Sequence, residues 1–120
     1  MDLGKPSVEG DFELTTTLVD EHQTTLSLEG SLPGFGKTWA TFTLLVGTES
    51  RVAGTLTGNG RTLDDDGGML ASAVAGLWSR EKDVLLLTTL DQVNNGQQAF
   101  VQHEINLHSK KASVKVYFLD

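Results

Sequence analysis

The chain of 120 residues carries 16 acidic and 9 basic side chains, a net charge of −7, and no cysteine. That length predicts one domain with a core that needs no metal or disulfide, and the missing thiol excludes disulfide and thiolate chemistry. The acidic balance, with Lys110-Lys111 as the only adjacent basic pair, argues against nucleic acid or an anionic membrane as partner.

Residues 1–8 read as a loose N-terminal arm. They show neither the basic stretch nor the apolar run of a secretory leader, and the longest unbroken apolar run, Val84 to Leu87, is far short of a membrane span. The expected location is the cytoplasm. Thirteen glycines, two prolines and abundant threonine favour strands and tight turns. Gly10 to Val19 alternates, with Phe12, Leu14, Thr16 and Leu18 on one face. Thr24 to Gly30 alternates through Leu26 and Leu28, and a loop at Glu21 to Gln23 sets Leu18 opposite Leu26. Pro33-Gly34 suits a type II turn. Lys37 to Val46 is a strong strand. A two-residue loop at Thr48-Glu49 leads into Arg51 to Leu63. It places Leu45 opposite Val52, Thr43 opposite Gly54, Thr41 opposite Leu56 and Trp39 opposite Gly58.

Asp64 to Gly68 is a turn. Met69 to Ser79 has alanines and an Asp66 N-cap that suit a helix, but Gly67, Gly68 and Gly76 argue for a strand. Loops at Asp64 to Gly67 and at Glu81-Lys82 set Gly58 opposite Ala73, Leu56 opposite Ala75, Leu77 opposite Leu86 and Ala75 opposite Thr88. An odd-length loop at either end would invert this segment and turn Trp78 inward. Asn95-Gly96 is the strongest short hairpin signal in the chain. As a two-residue loop it sets Leu90 opposite Val101, Thr88 opposite His103, Leu86 opposite Ile105 and Val84 opposite Leu107. A loop at Ser109-Lys110 then sets Leu107 opposite Ala112, Ile105 opposite Val114, His103 opposite Val116 and Val101 opposite Phe118. Glu104 faces Lys115 as a cross-strand ion pair. Eight antiparallel, mainly up-and-down strands close naturally into a barrel, so the expectation is one all-β domain over residues 1–120.

The registers join into one inner face. It holds Trp39, Thr41, Thr43 and Leu45; Val52, Gly54, Leu56 and Gly58; Ala71, Ala73, Ala75 and Leu77; Val84, Leu86, Thr88 and Leu90; and Val101, His103, Ile105, Val114, Val116 and Phe118. Its side chains are smallest on the fourth and fifth strands. Either Trp39 fills that volume, stacked over Gly58, or the volume is a largely apolar pocket. The pocket would be lined by Trp39, Thr41, Thr43, Gly58, Ala73, Thr88, His103 and Val116, the make-up of a small-molecule site. Phe42, Leu44, Val46, Val74, Trp78, Leu85, Leu87, Phe100, Tyr117 and Leu119 then fall outside. So many large apolar groups call for cover by the N-terminal arm or a second subunit, unless inside and outside are swapped over part of the sheet.

Gly36-Lys37-Thr38 approaches a phosphate-binding loop, but Ser31 replaces the first glycine and a strand follows where that motif needs a helix. Asp64-Asp65-Asp66-Gly67 lacks the spacing and closing glutamate of a calcium loop. His103 shares a face with neither Glu104 nor His108, so no three-ligand set is visible and neither metal nor cofactor is expected. His22 sits in a turn, where exposure is the default. No serine stands in a nucleophile-elbow context. His103 is the candidate catalytic residue: a cavity histidine can serve as acid, base or donor near neutral pH. A structural histidine bonded to Thr88 or water is the simpler reading.

Gly58 and Gly60 followed by the Asp64 to Gly68 hairpin, in a short acidic eight-stranded chain, resemble the small barrels of the allene-oxide-cyclase and dirigent type. The resemblance is architectural and transfers no catalytic residue. It implies a barrel cavity holding an apolar small molecule in a homo-oligomer. Three functions follow from the residues: a barrel binding a small apolar ligand, a cofactor-free isomerase, cyclase or lyase using His103, and an oligomeric interaction module built on the second apolar face.

Overall fold

The computed structural model describes residues 4–46 and 52–119. Eight strands follow one another: β1 (Val8–Val19), β2 (Gln23–Leu32), β3 (Gly36–Leu45), β4 (Ala53–Leu63), β5 (Met69–Glu81), β6 (Val84–Val93), β7 (Gln98–Asn106) and β8 (Lys111–Leu119). Each pairs antiparallel with its chain neighbours, and β8 returns to β1, closing the barrel. The fold is thus the all-β, up-and-down eight-stranded barrel expected, and Met69–Glu81 is a strand. Val8, assigned above to the arm, opens β1, and the Ser7 amide donates to the Val116 carbonyl at 2.8 Å. Met1 to Leu3 and the expected Thr48-Glu49 loop lie outside the described residues.

Two short loops decide which way the strands face. At Asn94 to Gly96 the Val93 amide donates to the Gln97 carbonyl and the Gly96 amide to the Val93 carbonyl, at 2.8 and 2.9 Å. The loop has three residues, with Gly96 at φ +92°. This is the form in which a turn is followed by a left-handed bulge glycine. Asp65 to Gly67 repeats it: the Asp64 amide meets the Gly68 carbonyl, the Gly67 amide meets the Asp64 carbonyl, and Gly67 sits at φ +85°. Each loop shifts the expected pairing by one residue. Gly58 pairs with Val74 rather than Ala73, and Leu87 rather than Thr88 pairs with His103. A one-residue slip reverses every side chain of a strand. At the other end of these strands, Glu81 pairs with Val84 across a Lys82-Asp83 loop, two residues off the expected sum, so β5 and β6 keep a common face and invert together.

The correction extends to β3. Across Pro33 to Phe35, Leu32 pairs with Gly36, which sets Leu28 opposite Ala40 and Leu26 opposite Phe42. Gly34 has φ +82° and the Phe35 amide donates to the Leu32 carbonyl, the expected type II geometry. Because Leu26 and Leu28 face inward, Phe42 and Leu44 do too, and Trp39, Thr41, Thr43 and Leu45 face out. Phe42, not Trp39, lies opposite Gly58, where a Cβ would come 2.9 Å from its ring. Within β1 a bulge between Leu14 and Thr16 ends the inward face after Leu14, so Leu18 pairs with Thr25 and is exposed. The β7–β8 register is displaced by two residues and keeps its face: His103 pairs with Val114, and Lys115 lies opposite Gln102 rather than Glu104. Glu104 faces Ser113, so the expected ion pair does not form.

The apolar residues stranded outside by the expected register are mostly the core. Phe42, Leu44, Val74, Trp78, Leu85 and Leu87 are all buried. The outer faces of β1 and β8 carry Glu9, Asp11, Glu13, Lys111 and Lys115. Charges on these two outer faces are the reverse of the lipid-facing band of a transmembrane barrel. Among the described residues no helix is long and apolar enough to cross a membrane.

Candidate functional site: one open end of the barrel

The two ends of the barrel are built differently. One end, toward the β1–β2, β5–β6 and β7–β8 loops, is packed by Leu44, Leu56, Trp78, Leu85, Leu87 and Ile105. The Trp78 indole N–H donates to the Leu45 carbonyl at 2.8 Å, which satisfies its one buried polar atom. Gly54 and Gly76 lie across from Trp78 and Leu56, leaving those side chains their room.

The other end opens between the β2–β3, β4–β5 and β6–β7 loops into a pocket of about 110 Å³. Phe12, Phe35, Phe42 and Phe118 supply its aromatic wall, with Leu28, Leu32, Val101 and Val116. Phe35 and Phe118 meet at 5.5 Å between centroids. The polar lining is Thr38, Arg61, Thr62, Ser72, Asp91, Gln97 and His103. Thr38 and Thr62 hydroxyls bond each other at 3.0 Å, and the Arg61 guanidinium donates to the Gly60 carbonyl at 2.7 Å.

The space has a cause in the sequence. One pairing row crosses β3 to β8 as Phe42, Gly58, Val74, Asp91, Ala99 and Phe118. A phenylalanine stands at each end, and small residues or a carboxylate lie between. Asp91 faces in because β6 is inverted, the same inversion that buries Leu87 and Thr89. The Thr89 hydroxyl donates to Asp91 Oδ1 at 2.8 Å. Burial raises the Asp91 pKa to about 6, opposed by that hydrogen bond.

His103 lies at the floor, buried among apolar groups. Its ring meets Phe42 edge-on at 5.0 Å, and Nδ1 lies 3.3 Å from the Leu87 carbonyl. Burial lowers its pKa to about 4, against the raising effect of that carbonyl, so the imidazole is neutral at neutral pH. A neutral ring that donates from Nδ1 leaves Nε2 as an acceptor. Among the described residues no buried side-chain nitrogen or oxygen lacks a partner. Nε2 makes no such bond, so it touches open space.

Of the residues expected to line the site, His103 and Val116 do so. Gly58 faces inward beneath Phe42 but is not on the pocket wall. Trp39, Thr41, Thr43, Ala73 and Thr88 are on the outer surface, for the register reasons above. Trp39 there stacks under the Lys37 ammonium, 5.2 Å from its ring. His103 has no bond to Thr88, which faces away from it. Asp91, Phe42 and Phe35 are among the site residues that sequence reasoning missed. The available signal was the triplet form of the two loops, Asp-Asp-Gly and Asn-Asn-Gly, each with two polar residues before the glycine. Among the described residues no cluster of three metal-ligating side chains occurs.

No family model, curated protein or solved structure matches the chain.

Proposed function

We propose that the protein binds a small, largely apolar molecule in the open end of its barrel. The pocket between Phe42, Phe118 and His103 carries this reading, set against an opposite end where Trp78, Leu56 and Leu85 are buried. Its volume of about 110 Å³ limits the buried part of the ligand. An apolar cavity of about 150 Å³ takes one benzene ring, so the buried part of the guest is at most a single ring or short branched chain, with any remainder at the mouth. A fragment screen by ligand-observed and 1H-15N NMR tests this. One-ring compounds are expected to shift the amides of Val74, Ala99 and Val101 but not those of Ile105 and Leu56. Shifts confined to the outer surface would overturn it.

Nothing favours the isomerase, cyclase or lyase reading. Among the described residues His103 bonds only a backbone carbonyl, and its lowered pKa makes it a weak base at neutral pH. Membership of the allene-oxide-cyclase and dirigent type is a separate proposal, supported by the closed eight-stranded barrel alone. A homo-oligomer is proposed on an independent observation. The outer row Ala75, Leu90, Phe100 and Tyr117 crosses β5 to β8 without a charge, and Leu77 and Leu90 are 62% and 59% exposed. Its test is solution size against concentration.

A further inference from the structure

We propose that the guest of this pocket is a primary amine: a small apolar ring or branched chain whose ammonium group meets the Asp91 carboxylate. This rests on the pocket reading above and specifies the chemistry that the pocket selects.

Three observations point the same way. The first is placement. Asp91 is the one carboxylate on the pocket wall, midway along the row between Phe42 and Phe118, with Ala99 and Val74 as its direct strand neighbours. Neither neighbour can hydrogen-bond to it through a side chain. The second is unmet bonding capacity. An ionised carboxylate accepts at about four lone-pair positions. Among the described residues Asp91 receives only the Thr89 hydroxyl, on Oδ1. Among the described residues no buried side-chain oxygen lacks a partner, so Oδ2, on a residue of the pocket wall, is accessible rather than sealed in the protein. The third is the surrounding wall. Four phenylalanine rings line the same space, and aromatic faces attract an ammonium ion that has left water.

The remaining charged and titratable groups leave that preference standing. Arg61 is on the rim, with its guanidinium directed to the Gly60 carbonyl, and among the described residues no ion pair includes Asp91 or Arg61. His103 lies four residues deeper than Ala99 on β7, about 13 Å along the strand, and is neutral. A carboxylate pKa near 6 leaves Asp91 ionised at pH 7.5. An anionic guest would bring a second negative charge to a site already holding one, inside a chain of net charge −7. A neutral guest would leave the carboxylate half solvated. An ammonium ion gives charge-assisted hydrogen bonds where the protein supplies none.

The experiment titrates three one-ring probes of nearly equal size at pH 7.5: benzylamine, benzyl alcohol and phenylacetate. Dissociation constants come from 1H-15N shifts in the wild type and in Asp91→Asn. The expected result is benzylamine bound at least ten-fold tighter than benzyl alcohol, and phenylacetate weakest. In Asp91→Asn the benzylamine and benzyl alcohol constants converge to within about two-fold. If benzyl alcohol binds in the pocket and benzylamine binds no tighter, the amine proposal falls while the pocket reading stands. The amine proposal falls in the same way if the preference survives in Asp91→Asn. If no probe shifts a pocket amide, both fall. Should Asp91→Asn not fold, the wild-type ranking decides, together with the Asp91 13C carboxylate signal, which benzylamine alone is expected to move.

Discussion

Asp91 and His103 are displaced in opposite directions by one cause, removal from water. The carboxyl rises from 3.8 to about 6 and the imidazole falls from 6.5 to about 4. For Asp91 the folded state holds its proton more tightly than the unfolded chain does. Its stabilising effect is therefore complete below pH 3.8 and lost as pH rises through about 6. For His103 the folded state refuses a proton that the unfolded chain takes. Its effect is complete above pH 6.5 and lost as pH falls through about 4. Between pH 4 and 6 the two slopes oppose each other, since one site gains a proton on folding and the other loses one. At about 1.4 kcal/mol per pKa unit, each slope amounts to roughly 3 kcal/mol. The wild type should accordingly show little pH dependence from this pair. Asp91→Asn should expose the histidine slope, with stability rising by roughly 3 kcal/mol from pH 4 to 6.5. His103→Gln should expose the reverse, a fall of similar size. Urea melts at half-unit pH steps measure all three, and single-variant curves parallel to the wild type would contradict the assignment.

At the scale of strands and loops, Gly67 and Gly96 carry the geometry that sets the facing of β5 and β6. Both have φ near +90°, and a Cβ at either would meet nothing within 4 Å. The demand is on the backbone and not on space. A side chain in the left-handed region costs roughly 1–2 kcal/mol, and asparagine tolerates it best. Gly96→Val should lower stability by about that amount, and Gly96→Asn by clearly less, in thermal or urea melts of the two variants. Equal losses would show that crowding, not conformation, governs the site.

The same loops explain what was legible beforehand. Strand existence was written in alternation and turn residues, which act locally. The inward faces of β4, β7 and β8 followed, because the one-residue errors at the β4–β5 and β6–β7 loops cancel and the β7–β8 error is even, so Leu56, His103 and Val114 keep one face. Strands β3, β5 and β6 are apolar on both faces: Trp39 alternates with Phe42, Leu77 with Trp78, Leu86 with Leu87. For them periodicity gives no direction, and a single loop residue decides. Asp91 went unseen for this reason alone. Its neighbour Leu90 looked like core, and an aspartate beside it looked like surface. The structure reverses both, leaving Leu90 59% exposed.

On the scale of the whole molecule, the inversion also limits where an oligomer contact could form. Charges stud the outer faces of β1, β7 and β8 and the loops. The outward positions Thr55, Thr57 and Asn59 of β4, Ala73 to Ser79 of β5 and Leu86 to Gln92 of β6 carry none. Two copies of a −7 chain repel at every charged face, so contact is least opposed here. Phe100 and Tyr117, 6.2 Å apart, extend the strip beyond Leu90. Strands about 4.8 Å apart with about 3.3 Å per residue make the patch roughly 20 Å on a side, on the order of 400 Å² per copy. That lies below the roughly 1,200–2,000 Å² total of a stable complex, so association should be weak, with a dissociation constant of tens of micromolar or above. Added salt screens the net repulsion without touching apolar contact, and should therefore strengthen it. Sedimentation velocity from about 5 to 500 µM, at low and at physiological salt, is expected to show a reversible monomer–dimer shift larger in salt. Leu90→Lys should abolish the shift and leave the fold intact, because that side chain already stands in water. A monomer at every concentration would remove the uncharged strip as an interface, and would leave the pocket at the far side of the same strands untouched.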